Sequence, residues 1–484
     1  MDEMPIGQAL DRLAAEAPDM PAITCGPRTV TRAELASRTN RLARAYERLG
    51  VRTDDYVAIA LPNSISFFEA AVAAWKLGAI PQPISSRLPR AEREAILDLA
   101  EPALVVGLPD GTHTGPTLPP GHEPDPSLPD DPLPERVGRS WKAPTSGGST
   151  GRPKIIESGA PGLTQPIVCA VFGIVPDGTQ LVAGPLYHNA PFMFSSLGLF
   201  SGNHLVVMER FDAAGWLDLA ERHRADWAWM VPTMMGRISR LPDHARYDVS
   251  ALQRVWHGAA PCPPWVKEAW ITWLGPDRVW ELYAGTEAQG VTIISGTEWL
   301  VHRGSVGRPI VGDISVRGPD GDELPAGEVG EVFMRGPDPS RPTYRYVGAD
   351  PVERDGWETI GDMGWLDEDG YLYLADRRTD LILRGGANVY PAEVEAALGE
   401  HPRVAGAAVI GLPDPDLGQR VHAIVQTEGE VGDDELRSFL AERLVSYKIP
   451  ETFERTAEPL RDDAGKIRRA ALRDARLPEL PPEG

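Results

Sequence analysis

The chain has 484 residues, 42% of them hydrophobic and 24% charged, with a formal net charge of −22. That length exceeds what one hydrophobic core organises, so two or more domains are expected. So acidic a balance excludes a general nucleic-acid or anionic-membrane surface, while leaving room for a local cationic pocket. The three cysteines, Cys25, Cys169 and Cys262, are too widely spaced for a disulfide framework or a zinc site and read as buried thiols. The N-terminal stretch MDEMPIGQALDRLAAEAPDM is acidic and lacks an apolar signal core. No apolar run approaches the about 20 residues that span a bilayer. A cytoplasmic protein without membrane insertion is expected.

Along the chain, Thr31-Arg32-Ala33-Glu34 is a capping-box pattern opening a helix whose apolar face carries Leu35, Leu42, Tyr46 and Leu49, with Gly50 as its stop. Tyr56–Leu61 reads as a buried strand, Ser64–Leu77 as a helix and Ala79-Ile80 as the start of another strand. This βαβ rhythm predicts an α/β fold with a parallel or mixed sheet. Residues 107–137 are rich in Pro, Gly and Asp and read as a surface loop. Alternating segments resume and run to about residue 345. From Asp376 a compact α+β unit is expected: a β-rich piece, strands at Val404–Ile410 and Val421–Gln426, and a helix from Asp433 with Leu436, Phe439, Leu440 and Leu444 at helical spacing.

The stretch Thr145-Ser146-Gly147-Gly148-Ser149-Thr150-Gly151-Arg152-Pro153-Lys154 carries the first chemistry. It is not a P-loop, because Pro153 and a strand-like Ile155-Ile156-Glu157-Ser158 stand where a helix would have to begin. Taken alone it reads equally as a flexible turn and as an anion nest of backbone N–H groups with hydroxyls and Lys154 as further donors. Tyr283-Ala284-Gly285-Thr286-Glu287 combines an aromatic face, a hydroxyl and a carboxylate that suits Mg²⁺. Ile360-Gly361-Asp362 offers a carboxylate that can accept from a ribose diol. Asp376-Arg377-Arg378-Thr379-Asp380-Leu381-Ile382-Leu383-Arg384-Gly385-Gly386 follows, and Asp463-Ala464-Gly465-Lys466-Ile467-Arg468-Arg469 closes the series. Each is weak alone.

In this order they resemble the adenylate-forming superfamily of acyl-CoA synthetases, luciferases and peptide-synthetase adenylation domains, from Thr31 to Arg469. The variant GGSTGRPK is similar to that of ligases for bile acids and other bulky carboxylates. The resemblance implies a large N-terminal domain of βα subdomains with a small β-barrel-like part over residues 1–376. It implies a small mobile α+β domain over 377–484, with the hinge near 376–380. It further implies ATP, Mg²⁺ and coenzyme A, and a carboxylic acid partner that becomes an acyl-adenylate and then a thioester. The oligomeric state stays open, a homodimer included.

Carried over by position, Ser146, Gly147, Gly148, Ser149, Thr150, Gly151 and Lys154 would embrace the β- and γ-phosphates. Tyr283 would stack on adenine beside Gly258-Ala259-Ala260, Thr286 would meet the α-phosphate and Glu287 would hold Mg²⁺. Asp362 and Arg377 would bind the ribose, and Lys466 would bridge substrate carboxylate and α-phosphate. Rotation of the small domain would replace Lys466 by the Gly385-Gly386 segment for thioester formation. The hinge position falls on Thr379, where relatives carry a charged residue. His188 in Pro185-Leu186-Tyr187-His188-Asn189 would stand at the acyl pocket mouth. By position beside these motifs, the acyl pocket comprises Pro191 to Phe194 (Phe192 and Met193 among them), Met230, Met234, His257, Gly258, Ala284 and Gly285. Small residues leave room there and Met and Phe give apolar walls, so a bulky apolar acid (aryl, long-chain or polycyclic) is expected.

Two departures bear on the chemistry. Gly147 stands where the resemblance leads one to expect a hydroxyl, and Ile155 where it leads one to expect glycine. A weaker pyrophosphate grip would handicap adenylation alone, so a ligase specialised for converting a supplied acyl-adenylate is a second reading. Loading of a separate carrier protein, a catalytically silent nucleotide binder and light emission are others. Retention of Lys466 with Glu287, Asp362 and Arg377 argues against the silent form.

Overall fold

Six parallel strands carry the nucleotide-side motifs, in the order Pro21–Cys25, His204–Val207, Thr179–Val182, Trp227–Met230, Arg254–Gly258 and Val279–Ala284. The computed structural model describes residues 3–109, 111–146, 153–462 and 465–477. Both faces of the parallel run are covered by helices, which is why its strands read as near-continuous apolar stretches. Beyond Val279–Ala284 the same sheet continues antiparallel through Val291–Ser295, Ser305–Val311, Leu372–Arg377, Trp357–Leu366, Gly330–Arg335 and Asp313–Arg317. The part expected to resemble a barrel is this antiparallel end, joined to the parallel run through Val291–Ser295.

The expected βαβ unit is present. Thr31 Oγ1 accepts from Glu34 N while the Glu34 side chain accepts from Thr31 N, and the helix runs Arg32–Arg48. Ser64 caps Ile65–Lys76 with its hydroxyl alone, which accepts from Phe67 N. Strand Tyr56–Ile59 pairs in parallel with Ile80–Pro83 on one side and Leu104–Val106 on the other in a second sheet. The Pro-rich 107–137 stretch is mostly irregular, with a two-residue strand Thr117–Leu118. It is tied down by charge: Arg41 donates to Leu128 O and Asp130, and Arg44 to Asp131 O.

The strand Lys154–Ser158 follows the glycine-rich stretch and pairs with Thr145–Ser146 and Tyr344–Val347. Gly147, Gly148, Ser149, Thr150, Gly151 and Arg152 lie outside the described residues. The last strand of the long sheet ends at Arg377, and the next strand, Ile382–Arg384, belongs to a separate sheet with Gly418–Thr427 and Val404–Asp414. That sheet has its own core of Ile382, Val394, Leu398, Val409, Val425, Leu436 and Leu440, with helix Asp433–Ala441 across it. The chain crosses between the two at 378–381, and Thr379 sits exposed in that crossing. Among the described residues no helix is long and apolar enough to cross a membrane.

Candidate active site

The C-terminal ends of the parallel strands, the antiparallel sheet and the turn before Lys466 meet at one cleft, where a fold of this type places ligands. Register brings Asp362 opposite Arg377, and Arg377 Nε lies 3.2 Å from Asp362 Oδ1. Tyr283 donates its hydroxyl to Asp362 Oδ2 at 2.8 Å. Burial raises the Asp362 carboxyl against the opposing pull of Arg377. Burial and the Asp362 charge hold Tyr283 well above the ordinary phenol range, so it stays a neutral donor.

Glu287 is fastened from the neighbouring small sheet. Tyr346 donates to its Oε1 at 2.5 Å, and Lys154 Nζ stands 3.4 Å from the same oxygen and 3.8 Å from the centre of the Tyr346 ring. Thr343 Oγ1 holds the Glu287 carbonyl at 2.7 Å. Oε2 faces the bare side of Gly285, where a Cβ would come within 2.7 Å. Thr286 lies half-buried in the turn before it. Ala259, after Gly258, is held at φ +67°, a left-handed conformation that costs free energy outside glycine.

Lys466 reaches this cleft from the small domain. Its turn closes through Asp462 N to Lys466 O and Lys466 N to Asp462 Oδ1, both 2.9 Å. The turn abuts the end of Trp227–Met230: a Cβ on Gly465 would meet Thr233 Oγ1 and Val231 Cγ2 at 3.4 Å. Enclosure by protein lowers the Lys466 ammonium, with Arg377 pushing the same way and Asp462, Glu287 and Asp362 opposing. The side chain still keeps an exposed edge. His188, with its ring unpartnered at Nε2, is pulled down to about 3 by burial and by the Lys466 and Arg468 charges. It is therefore a neutral imidazole at ordinary pH. Gly385 and Gly386, by contrast, form an exposed two-residue hairpin turn with φ of +55° and +83°, the pairing that favours glycine at both positions.

The expected acyl pocket is divided. Side chains alternate across a strand, so Met230 and His257 face away from Trp229 and Gly258. Met230 and Met234 pack with Trp270 and Val266 behind the sheet, and His257 stands there 3.9 Å from Glu281. Phe192 points into the N-terminal core, stacked between Trp75 and Trp141. Met230, Met234, His257 and Phe192 thus leave the pocket set. On the cleft side remain His188, Met193, Gly258, Ala284 and Gly285. Trp229 and Phe194 join them, stacked with ring centres 4.9 Å apart. A Cβ on Gly258 would meet the Trp229 ring at 3.0 Å and Leu282 O at 2.5 Å, so glycine is required for this approach. Counting residues from a motif does not reveal strand parity; the alternation Trp227, Trp229 against Ala228, Met230 would have.

Sequence reasoning also missed Lys142 and Tyr346. Lys142, four residues before Ser146, is 5% exposed and donates to Asn189 Oδ1 at the start of helix Asn189–Phe200. Burial pulls its ammonium down to about 7, with Glu287 opposing. The chain has six lysines in all, and a buried one beside the glycine-rich stretch was a readable signal.

Comparison with known proteins identifies the family. Residues 10–139 and 143–342 match the AMP-binding enzyme family, and residues 393–466 match the AMP-binding enzyme C-terminal domain. The chain belongs to the AMP-binding enzymes. It is 32% identical over 483 residues to a feruloyl-CoA synthase of Amycolatopsis sp, covering 96% of this chain and 97% of that one. It is 30% identical over 479 residues to the long-chain-fatty-acid–CoA ligase FadD13 of Mycobacterium tuberculosis, with coverages of 92% and 93%. The solved o-succinylbenzoate CoA synthetase (MenE) of Bacillus subtilis, in complex with an acyl-adenylate intermediate, superposes with a TM-score of 0.82. Sequence identity there is 27%, and 99% of this chain and 100% of that chain are covered. In this AMP-binding enzyme the first matched region takes in the whole parallel run, and the second takes in the strands Val404–Asp414 and Gly418–Thr427 of the separate small sheet.

Proposed function

We propose that this AMP-binding enzyme is an AMP-forming acyl-CoA ligase for a bulky, largely apolar carboxylic acid. The observation that carries the reading is the convergence of Lys466, Glu287, Asp362, Arg377 and Tyr283 on one cleft, bordered by Met193, Trp229 and Gly258. Its curated relatives include ligases named for aryl and for long-chain acids.

In the first step a carboxylate oxygen bonds to the α-phosphorus of ATP and the bond to pyrophosphate breaks. Both reactants are anionic, so the protein's task is positioning and charge compensation more than proton transfer. Lys466 supplies the cation between them and Lys142 a second, buried one beside Asn189. Asp362 and Arg377 hold the ribose, and Tyr283 offers its face to the base. Among the described residues no group of three His, Cys, Asp or Glu side chains could hold a metal. Glu287 Oε2 fits Mg²⁺ as a single protein ligand, the remainder coming from phosphates and water. Bound there, the ion would neutralise phosphate charge. In the second step the coenzyme A sulfur bonds to the acyl carbon, the thiol proton leaves to solvent and AMP departs. Thr379, exposed at the crossing, is the proposed hinge, and the Gly385-Gly386 turn the face that replaces Lys466.

ATP–pyrophosphate exchange with aryl, long-chain and polycyclic acids, followed by coenzyme A thioester formation, tests the reading. Exchange with amino acids and none with these acids overturns it. The placement of Lys466 beside Glu287 and Asp362 favours a protein competent in the first step over one confined to the second.

A further inference from the structure

The acyl side of the sheet contains an unsatisfied polar corner. Four tryptophans, Trp227, Trp229, Trp256 and Trp280, belong to or border one aromatic cluster with Phe172 and Phe194. Trp227 and Trp256 both donate their indole N–H to Phe172 O, at 2.9 and 3.0 Å, and Trp280 donates to Asp277 O at 2.9 Å. Trp229, 5% exposed, is the exception: its Nε1 is buried without a hydrogen-bond partner among the described residues. Gln180, 1% exposed, is buried the same way, and neither its Oε1 nor its Nε2 has a partner. Three unsatisfied polar atoms at one place would each cost free energy if left so.

Both side chains line one space. A cavity of roughly 10 Å³ is lined by Gln180, Gly184, Pro191, Phe194, Ser195 and Trp229, among others. That is about the volume that admits a single oxygen atom. The fold makes room for the amide deliberately, since a Cβ on Gly198 would come within 2.4 Å of Gln180 Cδ. Ser195 Oγ is committed as a donor to Pro191 O at 2.6 Å, which leaves it an acceptor towards the space. No charged residue lines it. The Cζ2–Cη2 edge of the Trp229 indole, which adjoins its Nε1, reaches the bare side of Gly258, so one ring borders both the cleft and this corner.

We propose that Gln180 and Trp229 form a subsite for a hydroxyl group at the end of the acid distal to its carboxylate. This rests on the acyl-ligase reading above and narrows its substrate class to aryl or polycyclic hydroxy acids. A hydroxyl fits the donor and acceptor set: its oxygen accepts from the Trp229 N–H and the amide N–H, and its proton goes to the amide oxygen. A distal carboxylate is disfavoured, because the corner offers no cation to compensate it. A methyl in the same place leaves the polar atoms unpaired, the situation in which discrimination is strongest.

The test uses matched pairs: 4-hydroxycinnamic with cinnamic acid, 6-hydroxy-2-naphthoic with 2-naphthoic acid, and a hydroxylated with a deoxy steroid acid. ATP–pyrophosphate exchange on the wild-type protein should favour the hydroxylated member of at least one pair by about tenfold or more in kcat/KM. Gln180→Met should bring that ratio close to one, by lowering kcat/KM for the hydroxylated acid, raising it for the deoxy acid, or both, and Trp229→Phe should reduce it. A purely structural role would lower both members equally and overturns the proposal. So does a wild-type ratio of one or less, which assigns the corner to solvent and remains decisive should a variant fail to fold. No exchange with any pair overturns this proposal, and the ligase reading falls with it only if long-chain acids give no exchange either.

Discussion

Lys267 and Lys142 are the same residue type, both buried, in two regions with opposite logic. Lys267, 0% exposed, lies behind the sheet 2.6 Å from Glu281, a closed ion pair with His257 beside it. Lys142, 5% exposed, faces the cleft with an amide for a partner, and its nearest compensating charge is Glu287. A buried charge with a carboxylate partner is finished as structure. One given an amide and an aromatic ring but no carboxylate carries a desolvation cost that an anionic ligand can relieve. Burial alone therefore does not mark a functional lysine; the identity of its partner does.

The comparison breaks most visibly at Lys267. Lys267→Met leaves Glu281 as an unpaired buried carboxylate and should cost about 3–5 kcal/mol in denaturant unfolding; a loss below about 1 kcal/mol would dissolve the contrast. Lys466→Ala, which removes the cation that arrives from the small domain, should lower ATP–pyrophosphate exchange by roughly 10²–10³-fold. Thioester formation from a supplied acyl-adenylate should fall far less, and equal losses would count against the alternating-face proposal.

Lys142→Met should behave inversely to Lys267→Met. We expect kcat/KM for the acid to drop about tenfold with the melting temperature unchanged or raised, checked by exchange kinetics and calorimetry on one preparation. The pH dependence sharpens this. Burial lowers Lys142 from 10.5 to about 7 in the fold, so between those values the unfolded chain binds the extra proton. Stability from this group therefore rises with pH through that window, and its cost is fully present below pH 7. The stability gap between Lys142→Met and wild type should shrink from pH 7 to pH 10; a constant gap would show that Lys142 is not the titrating group. The smallest effect belongs to Tyr283→Phe. Loss of the bond to Asp362 should weaken ATP binding by several-fold, about 1 kcal/mol, read from KM for ATP.

Much of this cleft was legible as motif order. Thr31 and Ser64 named their own helix starts because capping is local chemistry. Asp362 and Arg377 were found separately, and the antiparallel register that makes them partners follows from chain pairing that no local pattern encodes. Met230, Met234, His257 and Phe192 were misassigned because proximity to a motif in sequence does not choose a face of the sheet. Tyr346 was invisible for a different reason: its strand is docked beside Lys154–Ser158 from nearly two hundred residues away. Trp229 and Gln180 belong to no motif, and only their missing partners set them apart.

The aromatic cluster has an optical consequence. Trp227, Trp256 and Trp280 keep their N–H groups on fixed carbonyls, so their emission should be largely insensitive to what occupies the cleft. Trp229 shares the cluster with its N–H uncommitted, in stacking contact with Phe194. An acid that reaches it changes the surroundings of one indole against the steady background of the other twelve tryptophans, so the protein carries its own fluorescent gauge of how deeply a ligand has entered.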